Sequence, residues 1–140
     1  MAFKVFVDAN ILLDLTLKRA GYGSARALFT SAISGDTQLY TTPAVLHIVS
    51  YYTGQFYSRM QTKEIILALL ADVRIIDADH DTALAAANSS FPDLEDALQY
   101  YAALREGLQY FLSGDKKLKK VALKRLPVVA PAEFLKLLFN

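Results

Sequence analysis

Cysteine is absent from this chain, which excludes disulfides, thiolate nucleophiles and cysteine-ligated zinc. No apolar run approaches the roughly 18 residues that a membrane-spanning helix needs. The amino terminus lacks a basic stretch leading into a short apolar one. A soluble, cytoplasmic protein without a membrane segment is therefore expected. Repeats, low-complexity tracts and linker-like stretches are missing too, so residues 1–140 read as one domain. Histidine occurs only at His47 and His80, and the net charge is only +1. What the chain does have is apolar residues, 54% of the total. A chain of this size buries roughly 68–70% of its unfolded surface.

Short apolar runs alternate with helical patterns. Strands are predicted near 3–7, 38–41, 73–76, 109–112 and 127–129. Helices are predicted near 10–18, 43–54, 62–71, 80–88, 93–106 and 131–139. Between the first two strands, Tyr22, Ala25, Leu28, Phe29, Ala32 and Ile33 keep helical spacing, with Gly35 as a stop. Pro43 and Pro131 suit first helical turns, and Gly107 suits a helix end. This alternation predicts an α/β fold, a three-layer sandwich whose five-stranded parallel sheet is covered on both faces.

Ligands of such sheets gather at the carboxyl ends of the strands. Asp8 ends the first strand, and Asp115 follows the fourth in Phe111-Leu112-Ser113-Gly114-Asp115. Asp93-Leu94-Glu95-Asp96 opens the helix leading into that strand. Asp93 and Asp96, three apart, share a face, whereas Glu95 is expected to point elsewhere. Converging carboxylates suit a hard divalent cation, Mg²⁺ or Mn²⁺, which polarises phosphoryl oxygens and lowers the pKa of its bound water. Each acid also has a local reading. Asp93 and Asp115 fit helix caps or turns, Glu95 and Asp96 suit a first helical turn, and Asp14 fits an ordinary surface acid.

The ordered set resembles the PIN domain family, in particular its VapC-type toxins. Three stretches carry the resemblance: Val5-Phe6-Val7-Asp8-Ala9-Asn10-Ile11-Leu12-Leu13-Asp14, Asp93-Leu94-Glu95-Asp96-Ala97-Leu98-Gln99-Tyr100, and Phe111 to Asp115. It implies Mg²⁺- or Mn²⁺-dependent hydrolysis of RNA phosphodiesters by in-line attack of a metal-activated water. It also implies Asp8, Asp96 and Asp115 as metal ligands and Asp93 as an accessory acid. Asn10 would support Asp8 by a hydrogen bond, and Ser113 would orient Asp115 or the phosphate. A homodimer and a silencing antitoxin are the implied partners. One departure is expected: the family's glutamate in the helix after the second strand is replaced, with His47 in its place. His47 then stands as a supporting residue, an unusual ligand or phosphate contact, or as the mark of a decayed site.

Two surface features remain. Lys116, Lys117, Lys119, Lys120, Lys124 and Arg125 form a basic run that suits either phosphate contact or a solvated helix face. Tyr51, Tyr52, Phe56 and Tyr57 suit an RNA-stacking surface, core packing or a protein interface, and the interface is the favoured expectation. The leading function is thus a metal-dependent endoribonuclease. The alternative is a catalytically impaired member of the fold acting as an RNA-binding or protein-interaction module. A phosphatase that starts from an acid after the first strand would need a second aspartate where Asn10 stands.

Overall fold

Residues 2–139 are described by a computed structural model. The elements run β1 (Phe3–Val7), α1 (Ala9–Thr16), α2 (Tyr22–Ile33), β2 (Thr37–Thr41) and α3 (Pro43–Thr53). They continue with α4 (Arg59–Leu70), β3 (Val73–Ile75), α5 (His80–Ala87), α6 (Leu94–Glu106) and β4 (Tyr110–Leu112). The chain then closes with α7 (Lys116–Val121), β5 (Val128–Val129) and α8 (Pro131–Leu138). The strands pair in the order β3-β2-β1-β4-β5, every pair parallel, and helices flank the sheet. The expected α/β class and five-stranded parallel sheet are what the chain adopts. Among the described residues no helix is long and apolar enough to cross a membrane.

The strand order creates the functional edge. From β1 the chain winds outward to β2 and β3, then crosses back to place β4 on the other side of β1. The carboxyl ends of β1 and β4 therefore flank the point where the winding reverses, and a crevice opens there. Register holds the two strands together, with Val7 opposite Leu112. The Asp8 N–H continues the ladder by donating to Leu112 O at 3.2 Å. The last three residues of β1 are fully buried, as a strand covered on both faces requires. Phe6 stacks on Phe111 with ring centroids 4.5 Å apart, which ties the two strands beneath the crevice.

Two helices differ from the sequence reading. Helix α4 begins at Arg59, three residues before the predicted start of 62. Ser58 and Gln61 form a reciprocal capping box that satisfies first-turn N–H groups. The lysine-rich segment folds as the short helix α7, capped by Asp115. Gly107 ends α6 with φ 76°, a left-handed geometry that costs other residues a steric penalty.

Helix α6 is anchored by Tyr100, which is completely buried. Its hydroxyl donates to Leu126 O at 2.6 Å and accepts from the Leu123 N–H at 2.7 Å. This one side chain ties α6 to the segment joining α7 and β5. Replacing Tyr100 by phenylalanine strands two backbone groups and should cost about 2–3 kcal/mol. A lower urea midpoint at unchanged m-value would show it.

Candidate active site

Asp8, Asp96 and Asp115 reach one cavity of about 640 Å³ at the crevice between the ends of β1 and β4. Three separate elements deliver them. Asp8 is the N-cap of α1, and its Oδ1 accepts from the Ala9 N–H at 2.6 Å. Asp115 is the N-cap of α7, accepting from the Lys117 N–H at 2.8 Å. Asp96 lies in the first turn of α6, whose N-cap is Asp93. The capping and functional readings of these acids are therefore compatible. Each carboxylate stands at the positive end of a helix, which partly offsets the repulsion of gathered negative charge.

Ser113, almost fully buried, links two of the acids. Its hydroxyl donates to Asp8 Oδ2 at 2.8 Å, and its oxygen accepts from the Asp115 N–H at 3.1 Å. Burial pushes the Asp8 carboxyl above its ordinary value. The bonds from Ser113 and Ala9 pull it back, and the Asp115 charge raises it further. Asp96 is pushed up to about 6, first by desolvation, then by the charges of Asp93, Asp8, Asp115 and Glu95. The carboxylates thus sense one another across the cavity.

Asp93 accepts from the Glu95 N–H at 2.8 Å, so its visible work is capping. It lines a second cavity of about 590 Å³ that also touches Asp96, Asp115 and Lys117. Asp96 and Asp115 therefore border both cavities. Three expectations need correction. Glu95 does not point away from the site but lines the same cavity as Asp8. Glu95 stands one turn before Gln99 on α6, and the cavity is wide enough to take both together with Asp96. Asn10 bonds not to Asp8 but to Arg19, whose Nη2 donates to Asn10 O at 3.0 Å and to Oδ1 at 3.2 Å. His47 lies outside the acidic cavity, in a groove with Leu46, Ser50, Lys63 and Leu67. The residues of α3 that line the acidic cavity are Ile48, its neighbour, and Tyr52.

Sequence reasoning also passed over Arg19, Gln55 and Gln99, which complete the cavity wall. Gln99 was findable, one turn after Glu95 on α6. Arg19 lies in a turn and carried no periodic signal. Half of the aromatic run, Tyr52 and Phe56, lines this wall as well, while Tyr51 packs edge-on against Tyr52 at its exposed margin.

The donor set is all oxygen, which suits a hard divalent ion. Among the described residues no group of three or more acidic or histidine side chains is close enough to form a ready cage. Asp96 holds its proton more tightly folded than unfolded. The metal-free protein should therefore gain stability as pH falls from above about 6 toward the ordinary value of 3.8. Asp79 and Glu133, held below their ordinary values mainly by bonds from Thr82 and Lys119, act oppositely at lower pH. A divalent ion competes with the Asp96 proton, so Mn²⁺ should raise Tm more at about pH 8 than at about pH 5. Thermal melts would check both slopes, and a Tm indifferent to pH and Mn²⁺ would contradict the coupling.

Comparison with known proteins bears on the family and the fold. Over 118 residues the chain is 27% identical to ribonuclease VapC1 of Aquifex aeolicus, covering 81% of this chain and 82% of that protein. Similar solved structures include VapBC2 of Rickettsia felis bound to a promoter DNA fragment. It has a TM-score of 0.67 at 15% identity, over 91% of this chain and 98% of that one. Another is Mycobacterium tuberculosis VapC20, described as a sarcin-ricin loop cleaving toxin. Its TM-score is 0.66 at 16% identity, over 88% and 98% of the two chains. At such identities the structures speak for the fold alone. Residues 4–117 match the PIN domain family. With that match and the acids at the switch point of a parallel sheet, the chain belongs to the PIN domain family.

Proposed function

We propose that this protein is a divalent-metal-dependent endoribonuclease, the toxin of a toxin–antitoxin pair. The observation that carries the reading is the delivery of Asp8, Asp96 and Asp115 from three elements to one cavity, where desolvation first, and the neighbouring acids after it, raise the Asp96 carboxyl. The relative named a ribonuclease, at 27% identity, supports RNA as substrate, and an antitoxin is proposed as partner. A homodimer is proposed with them.

In this reading Asp8, Asp96 and Asp115 hold Mg²⁺ or Mn²⁺, which when bound supplies charge stabilisation at the phosphoryl group and a more acidic water. Ser113 keeps Asp8 and Asp115 in a fixed relation, and Asp93 fixes the start of α6 and thereby Asp96. The two cavities that meet at Asp96 and Asp115 let a single strand cross the acids with flanking nucleotides on either side. On the far side, Lys117 of the basic run offers phosphate contact. Lys119 is instead paired with Glu133 at 3.1 Å on the exposed surface, a contact worth little.

The test is cleavage of a mixed RNA pool with Mg²⁺ or Mn²⁺, comparing the wild type with Asp8→Asn. Cleavage that needs the ion and disappears in the variant is expected. Retained cleavage by a clean variant preparation would refute the assignment. A second reading, an RNA-binding module without catalysis, is favoured by one feature: among the described residues α3 brings no acid to the cavity, only Ile48 and Tyr52. RNA binding by wild type that never cleaves with either ion would support it.

A further inference from the structure

Arg19 is the only cation among the described residues that line the acidic cavity. An arginine beside Asp8, Asp96 and Asp115 would ordinarily pair with one of them and neutralise it. Here it is prevented from doing so. Its Nε donates to Asp14 Oδ1 at 2.9 Å, and Asp14 does not line the cavity. Its Nη2 donates to both oxygens of Asn10, the residue two beyond Asp8. Among the described residues Nη1 has no protein partner, and two of its N–H donors stay available.

The turn between α1 and α2 is shaped around this clamp. Lys18 takes φ 51°, in the left-handed region, which lets the chain double back. The Arg19 N–H then donates to Asp14 O at 3.1 Å. At Gly21 a Cβ would come within 2.1 Å of Asp14 Oδ2, so a side chain there would push that carboxylate out of its place. Asp14, read from the sequence as a surface acid, is therefore part of a device that fixes a guanidinium at the rim.

A guanidinium held away from the carboxylates, yet sharing their cavity, suits an anion that reaches both. We propose that Arg19 is a positioning residue that binds a backbone phosphate of the RNA flanking the one presented to Asp8, Asp96 and Asp115. This rests on the nuclease reading of the site and assigns the substrate contact on the α1 side of it. The two N–H groups left on Nη1 can be donated to phosphate oxygens from a guanidinium whose plane the Asp14 and Asn10 contacts already fix, an orientation that lysine cannot reproduce.

The experiment measures cleavage and RNA affinity against salt for wild type, Arg19→Ala and Arg19→Lys. Affinity is read by fluorescence anisotropy of a short labelled RNA, with the Arg19 changes also placed in the Asp8→Asn background. One lost phosphate contact should lower the slope of log affinity against log salt by about 0.7 for a single strand. Arg19→Ala should show that change, with KM raised roughly tenfold or more and the Mn²⁺-induced Tm shift unaltered. Arg19→Lys should keep the wild-type slope and recover only part of KM. A merely structural tie between α1 and α2 would lower Tm and leave the slope in place, which would overturn the proposal. A lysine variant as shallow in slope as the alanine variant would overturn it as well. If wild type cleaves while the slope is insensitive to residue 19, the nuclease reading stands and the Arg19 assignment falls. If no variant cleaves but the slope drops with Arg19→Ala, the phosphate contact stands and the nuclease reading falls.

Discussion

Asp96→Asn should abolish RNA cleavage and at the same time make the metal-free protein more stable. The two effects have one cause. Asp96 is half-buried, and its desolvation, followed by the charges of Asp93, Asp8, Asp115 and Glu95, opposes its ionisation. Asparagine keeps the shape and removes the charge, so the repulsion is relieved without leaving a cavity. In the presence of Mn²⁺ the order reverses, because wild type gains binding free energy that the variant lacks. Losing a carboxylate that directs the ion removes several kcal/mol of transition-state stabilisation, a rate loss of roughly 10²–10³-fold. Melting curves with EDTA and with Mn²⁺, set beside cleavage rates, would check the crossing. A variant that is less stable in both conditions would mean that Asp96 is structural.

Ile48→Glu should tighten Mn²⁺ binding by roughly ten- to a hundredfold, whereas His47→Glu should leave it unchanged. The sequence comparison pointed to residue 47 as the place of the missing acid. In the fold, Val45 and Val49 are buried against the core, and the side of α3 that meets Asp8 and Asp96 carries Ile48. Residue 47 sits about 100° further round the helix and opens onto a separate groove beside α4. A glutamate at 48 adds a fifth acid to the cavity and should therefore also lower Tm without metal, by the same repulsion. Calorimetric titration of both variants with Mn²⁺ distinguishes the positions. Equal gains at 47 and 48 would mean that α3 can rotate or that binding is nonspecific.

These expectations depend unevenly on what the sequence makes legible. Asp8, Asp96 and Asp115 were findable because strand ends and helix starts are marked by local pattern, and parallel sheets collect those positions on one edge. The early start of α4 was set by capping at Ser58, where side chains reach back to backbone N–H groups, whereas the caps at Asp93 and Asp115 were among the local readings. Glu95 was misjudged because the cavity is wide enough to take both Glu95 and Asp96 along α6.

Local chemistry, then, was enough to determine the α/β class, the strands, the order of the acids and the suitability of a hard cation. These follow from apolar periodicity, from caps and from the charge of single residues. The tertiary structure alone decided which neighbours complete the site. It set Ile48 and not His47 against the acids, gave Asn10 to Arg19, made Asp14 the holder of a guanidinium, and brought Ser113 between Asp8 and Asp115. Those contacts join residues on different elements, as far as 105 positions apart for Ser113 and Asp8. They depend on helix rotation and loop closure, which packing against the sheet settles and which no local pattern encodes.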